Sequence, residues 1–126
     1  MKVLVAEDDL ASGKFMQKLL SKYGEVVLAR DGIAAVDEFV NAVSTNERFD
    51  LICMDIMMPK LDGIAATKAI RDMERPDAVE IPIIAMTANA FEEDARKCVE
   101  AGMNAHLSKP LQMDVVVGTI AEYYKR

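Results

Sequence analysis

Histidine, cysteine and clustered basic residues are all scarce in this chain, and each scarcity closes off a class of function. The only histidine is His106, and the two cysteines, Cys53 and Cys98, have no spacing that suits a tetrahedral zinc site. Both cysteines lie inside apolar segments, which reads as two buried reduced thiols rather than a disulfide framework. Lysine and arginine total 15 against 21 acids, for a net charge of −6, which argues against general binding to a nucleic-acid backbone. Long apolar runs are missing too. None approaches the roughly 18 residues needed to span a bilayer. The opening MKVLVAEDD reaches three acids before a signal-peptide core can form. These absences predict a cytoplasmic location with no direct nucleic-acid or membrane partner.

What is present is ordinary globular composition: 52% hydrophobic and 29% charged residues in a chain of 126. That length fits one domain, residues 1–126, with a core of its own and no room for a second. Short β-branched runs alternate with longer helical patterns five times, without repeats or low-complexity linkers. Strands are predicted at Lys2–Ala6, Glu25–Arg30, Asp50–Met54, Ile81–Met86 and Ala105–Leu107. The first, third and fourth are nearly continuous apolar runs, as parallel strands covered on both faces require. The second alternates more and suits a sheet edge. Apolar residues at helical spacing predict helices over 11–22, 32–43, Asp62–Met73, Phe91–Ala101 and Leu111–Lys125. On the last of these, Met113, Val116, Val117, Ile120, Tyr123 and Tyr124 form one stripe, with Val115, Gly118, Thr119 and Glu122 opposite. The longest connections are Ser44–Arg48 and Glu74–Glu80. Strict alternation of this kind implies an α/β fold, a parallel sheet wound on both sides.

In open parallel sheets, sites form beyond the carboxyl ends of the strands. Glu7, Asp8 and Asp9 follow the first strand, Asp55 the third, Thr87 the fourth and Lys109 the fifth. Each taken alone has a structural reading: Asp9 as cap of the first helix, Thr87 as cap of the fourth, Asp55 as the start of a turn toward Pro59. Their convergence on one sheet edge is what points to chemistry. Two carboxylates about 5 Å apart repel by roughly 3 kcal/mol at an effective dielectric of 20. Asp8, Asp9 and Asp55 therefore call for a counter-ion beyond the single Lys109, and hard oxygen donors with room for water suit Mg2+, with Mn2+ as an alternative. Such a pocket attracts a phosphoryl group. Asp55 is the best-placed nucleophile, metal and Lys109 bind the equatorial oxygens, and Thr87 donates a hydrogen bond. A flavin or nucleotide binder would need a phosphate-cradling loop where the three acids stand. A phosphatase with an aspartyl nucleophile would carry a second acid two residues on, where this chain has Met57.

The pieces VAEDD, MDIMMPKLDGIAATKAIR, IPIIAMTANAF and AGMNAHLSKPL, in this order and spacing, resemble response-regulator receiver domains over essentially the whole chain, above all those associated with hybrid histidine kinases. The resemblance implies a flavodoxin-like (βα)5 sandwich with strand order 2-1-3-4-5. It implies a signalling domain, not a turnover enzyme, in which Asp55 accepts a phosphoryl group from a histidine kinase or a histidine phosphotransfer protein. By the same resemblance, Asp9, Asp55 and the backbone carbonyl of Met57 ligate Mg2+ directly, and Asp8 acts through a bound water. Thr87 and Lys109 bind phosphoryl oxygens, the Lys109–Pro110 peptide is cis, and Ala88 leaves room for the phosphoryl group.

The family usually carries Tyr or Phe where this chain has His106, which reads either as a partly exposed strand residue or as a switch residue whose polarity alters the readout that follows Thr87. By the same resemblance, Met57 and Asn89 stand at positions that influence phosphoryl lifetime, and Met57 has no strong group with which to orient water; slow self-dephosphorylation is expected. The first helix, with Ser12 and Phe15, is the expected docking face for the phosphodonor. The small residues Val115, Gly118 and Thr119 read equally as a face for a downstream protein and as plain surface, the domain itself being a monomer or weak dimer.

Overall fold

The computed structural model describes residues 1–88 and 92–124, with residues 92–94 in backbone only. Strand β1 (Lys2–Ala6) is followed by helix α1 (Leu10–Leu20), β2 (Glu25–Ala29) by α2 (Gly32–Ser44), and β3 (Leu51–Asp55) by α3 (Gly63–Arg71). A short α4 (Pro76–Glu80) precedes β4 (Ile83–Thr87), then α5 (Glu92–Ala101), β5 (Ala105–Ser108) and α6 (Met113–Tyr123). All five strands are parallel, in the order β2-β1-β3-β4-β5. This is the expected doubly wound, flavodoxin-like sheet.

Residue parity builds the two halves of the core. On β1 and β3, Val3, Val5, Leu51 and Cys53 face α1 and α6, where they meet Met16, Leu20, Val116 and Ile120. Their alternates Leu4, Ala6, Ile52 and Met54 face the other way, against Phe39, Ala66 and Ile70. With both faces covered, β3 and β4 are buried at every position.

Helices α1, α2 and α3 each begin on an aspartate. Asp9, Asp31 and Asp62 accept hydrogen bonds from the backbone N–H groups of Ser12 (3.0 Å), Ala34 (2.7 Å) and Ala65 (2.8 Å). Such a cap satisfies an otherwise unpaired amide and places negative charge at the positive end of the helix dipole.

Besides shifts of one or two residues at other element ends, the structure departs from the sequence expectation in three places. The segment predicted as a connection over Glu74–Glu80 contains α4, whose first residue is Pro76, a good first helical residue because its missing N–H would be unpaired there anyway. Strands β3 and β4 run one residue further than predicted, so Asp55 and Thr87 are the last rungs of the sheet itself, paired with Met86 and Ser108. Finally, Met113 leaves the predicted apolar stripe and is exposed, because α6 begins at Met113 and buries only Val116 and Ile120 fully.

Candidate functional site

The strand ends at the carboxyl edge of the sheet converge as expected, but with a different set of acids. Strand β1 stops at Ala6, and the N–H of Glu7 still bonds Ala29 O at 2.9 Å, holding Glu7 on the sheet. The β1–β3 register runs Val3↔Leu51 to Ala6↔Met54, so its next rung sets Glu7 opposite Asp55. Glu7 is buried at 2% exposure and Asp55 at 4%, whereas Asp8 is exposed. One carboxylate oxygen from each of Glu7, Asp8 and Asp55 lies within 4.8 Å of the others.

Asp9, expected as a direct metal ligand, is not in that group. By its position the chain has turned into α1, and the carboxylate is occupied with capping Ser12 N. That backbone hydrogen bond also holds the Asp9 carboxyl below the usual aspartate range. Glu7 takes its place in the cluster. Three consecutive acids disguise the register, but the two-residue alternation from Val3 through Val5 would have marked Glu7 as the inward one.

Asp55 is held from two sides. Its Oδ1 accepts from Met57 N at 3.2 Å and its Oδ2 from Lys109 Nζ at 3.1 Å. Lys109 Nζ also lies 2.7 Å from Glu7 Oε1, an ion pair without hydrogen-bond alignment, so that this buried oxygen has no hydrogen-bond partner. Burial, reinforced by Asp55 and opposed by Lys109, pushes the Glu7 carboxyl up to about 7. Burial pulls Lys109 down, but its contacts with Glu7 and Asp55 outweigh that and hold the ammonium above its ordinary value.

Lys109 is tied to β4 through its backbone, its N–H bonding Thr87 O at 2.8 Å. The Lys109–Pro110 peptide is cis. Asp55 is fixed by the start of α3, where Gly63 N bonds Ile56 O at 2.8 Å and a Cβ on Gly63 would sit 2.0 Å from Asp55 O. Only glycine permits that approach.

These groups line a cleft of about 250 Å³ formed by Asp8, Asp55, Ile56, Met57, Thr87, Ala88 and Lys109. Thr87 is buried at its edge, and Met57, 75% exposed, stands at its mouth. A second cleft of about 570 Å³ shares Asp8, Ile56 and Met57 and continues to Met58, Pro59, Asp62 and Ile64. The structure does not bring His106 into this cleft. On β5 it is exposed, pairs with Ala85 of β4, and lines a separate surface groove with Pro110 and Val115. Asn89 lies outside the described residues.

The donor set fits a hard divalent cation. All three converging acids offer oxygen, one oxygen of Glu7 is buried without a hydrogen bond, and a single ammonium balances three carboxylates. Neither cysteine nor histidine joins the group, which suits Mg2+ and not zinc.

Comparison with known proteins agrees with this geometry. The family model for the response regulator receiver domain matches residues 3–121. A probable histidine kinase of Oryza sativa is 38% identical over 130 residues, covering 95% of this chain but only 12% of the kinase. The chain thus spans about an eighth of that relative's length. The receiver domain of the sensor histidine kinase PA1611 of Pseudomonas aeruginosa is 33% identical with a TM-score of 0.83, over 97% of this chain and 95% of that one; its crystal structure has a magnesium ion in the active-site cleft. The receiver domain of the Saccharomyces cerevisiae response regulator Ssk1, solved with the histidine phosphotransfer protein Ypd1, is 30% identical with a TM-score of 0.84, over 98% of this chain and 88% of that one. By fold, by the acids at its strand ends and by sequence over nearly its whole length, the chain belongs to the response regulator receiver domain family.

Proposed function

We propose that residues 1–126 act as one receiver domain in which Asp55 accepts a phosphoryl group from the phosphohistidine of a histidine kinase or a histidine phosphotransfer protein. The observation that carries this reading is the meeting of Asp8, Thr87 and Lys109 with the buried Asp55 around one cleft, where Glu7 joins the two aspartates in an acidic cluster. A carboxylate oxygen of Asp55 attacks phosphorus, a P–O bond forms and the P–N bond to the donor imidazole breaks. Glu7, Asp8 and Asp55, with the backbone carbonyl of Met57, would hold Mg2+ or, in its place, Mn2+. Bound there, the ion neutralises charge on the phosphoryl oxygens.

The chain's own residues do the rest. Lys109 pairs with Asp55 Oδ2 before transfer and is within reach of the phosphoryl oxygens after it. Thr87, on the last rung of β4, offers its hydroxyl as a donor, and Ala88 keeps the approach open. Because each phosphoryl group is accepted stoichiometrically, the domain is a signalling acceptor rather than a turnover enzyme. The donor class is supported by the kinase relatives and by the related receiver solved with Ypd1. Output would pass to a separate protein across the face carrying Val115, Gly118 and Thr119, from a monomer or weak dimer. The domain would work in the cytoplasm, and no described helix is long and apolar enough to cross a membrane.

The test is incubation with Mg2+ and acetyl phosphate, read by intact mass. One added phosphoryl group is expected in the wild type and none in Asp55→Asn. A folded wild type that takes up no phosphoryl group, or an Asp55→Asn variant labelled as well as wild type, would overturn the assignment.

A further inference from the structure

We propose that Met57 is an oxidation site at the mouth of the cleft, and that its conversion to the sulfoxide shortens the life of the phosphoryl group on Asp55. This rests on the reading of Asp55 as acceptor and adds a chemical input to it.

Position is the first support. Met57 is the residue, with Asp8 and Ile56, that the two clefts at this sheet edge share, so its side chain forms the ridge between them. Its backbone N–H bonds Asp55 Oδ1 at 3.2 Å, which ties the residue directly to the acceptor. Exposure is the second. Met57 is 75% exposed, while Met16, Met54 and Met86 are wholly buried and Met103 is 5% exposed. Met113 is 55% exposed but begins α6, outside both clefts. Thiols do not compete: Cys53 and Cys98 are both buried.

The chemistry follows from what a thioether lacks. Its sulfur is a weak acceptor and cannot orient a water for attack on phosphorus. A peroxide transfers one oxygen to Sδ: the O–O bond breaks, an S–O bond forms, the sulfur loses two electrons and the peroxide is reduced to water or alcohol. The sulfoxide oxygen is a strong acceptor on the same flexible side chain. It can hold a water at the cleft mouth, where the thioether offers only an apolar methyl and sulfur. One ordinary hydrogen bond to the attacking water corresponds to about two- to tenfold in rate. Reduction by a methionine sulfoxide reductase returns the slow state, so the change is reversible.

The experiment treats the full chain with hydrogen peroxide, maps sulfoxides by peptide mass, then phosphorylates with acetyl phosphate and Mg2+ and follows phosphoryl loss. Met57 is expected to oxidise first among the methionines. Oxidised wild type should lose the phosphoryl group about two- to tenfold faster than untreated protein, with the original rate restored by the reductase. Oxidised and untreated Met57→Leu should decay alike, and Met113→Leu should respond as wild type does. An unchanged rate with Met57 fully oxidised, or an equal acceleration in Met57→Leu, overturns the proposal. If untreated wild type takes no phosphoryl group, the acceptor assignment itself falls; if it does and the lifetime ignores oxidation, only this inference falls.

Discussion

Two cations mark opposite ends of the sheet, and they are held in contrasting ways. Arg71, at the end of α3, makes five hydrogen bonds at the amino edge: two to Gly102 O (3.1 and 2.7 Å), one each to Ala78 O (2.8 Å) and Val79 O (2.9 Å), and one to Asn104 Oδ1 (3.0 Å). All its partners are neutral and fixed by backbone, and Asn104 Oδ1 also accepts from Ile83 N at 2.9 Å. Lys109, at the carboxyl edge, faces two carboxylates, one of them without hydrogen-bond alignment. The guanidinium's planar fork matches several fixed acceptors, while a flexible ammonium is a point charge that can change partners. One edge is thus locked and the other is left able to exchange ligands. The difference separates what keeps the fold from what holds the acidic site.

The sharpest way to break this contrast is at the locked edge. Arg71→Ala strips partners from the carbonyls of α4 and of the α5–β5 turn, and should cost about 2–4 kcal/mol. A urea titration should show a lower midpoint with unchanged slope, and folded variant should still accept phosphoryl at Asp55. Loss of acceptance in a fully folded variant would show that the two edges are not separable.

The exchanging edge should instead reveal itself through pH. Glu7 is pushed up to about 7 from an ordinary value of 4.5, so between those values the folded state binds more protons than the unfolded one. Stability of the metal-free protein is therefore full below about 4.5 and falls as pH rises through about 7, by up to about 3 kcal/mol. Glu7→Gln should flatten that slope, and added Mg2+ should oppose the loss in wild type, because a ligand of the folded state alone stabilises it. Thermal melts across pH, with and without the ion, measure both. A wild-type profile as flat as that of Glu7→Gln would remove the strain assigned to this edge.

The smallest effect belongs to neither edge. Thr67, wholly buried on α3, has a hydroxyl without a hydrogen-bond partner. Thr67→Val replaces that group with a methyl and should stabilise by about 1 kcal/mol, read as a raised melting temperature with phosphoryl uptake unchanged.

The sheet was legible in the sequence because strands buried on both faces leave apolar runs such as VLVA and IIAM, and the helices between them keep a 3.6-residue period. The positions of Asp55 and Thr87 were legible for the same reason, since each stands where an apolar run stops, and Lys109 was placed by its position just after the short fifth strand. The acids after β1 were not: Glu7, Asp8 and Asp9 are chemically alike, and only the ladder beyond Ala6 and the cap on Ser12 N tell them apart. Helix α4 was hidden because five residues carry too little periodicity. Arg71 was hidden because its partners are carbonyls, which every residue has. The sequence resemblance placed Asp9 on the metal; in the structure Asp9 caps Ser12 N, and the acids that converge with Asp55 are Glu7 and Asp8.

Gly63 has a consequence for anyone who would redesign this domain. Because a Cβ at position 63 would run into Asp55 O and the Gly63 N–H closes onto Ile56 O, residues 56–62 are a loop whose far end is pinned back beside Asp55. Substitutions at the outer rim, at Pro59 and Lys60, meet solvent and leave that joint in place. A side chain at position 63, however small, would instead be transmitted straight to Asp55. The loop is a cassette with one fixed joint, and that joint admits a single amino acid.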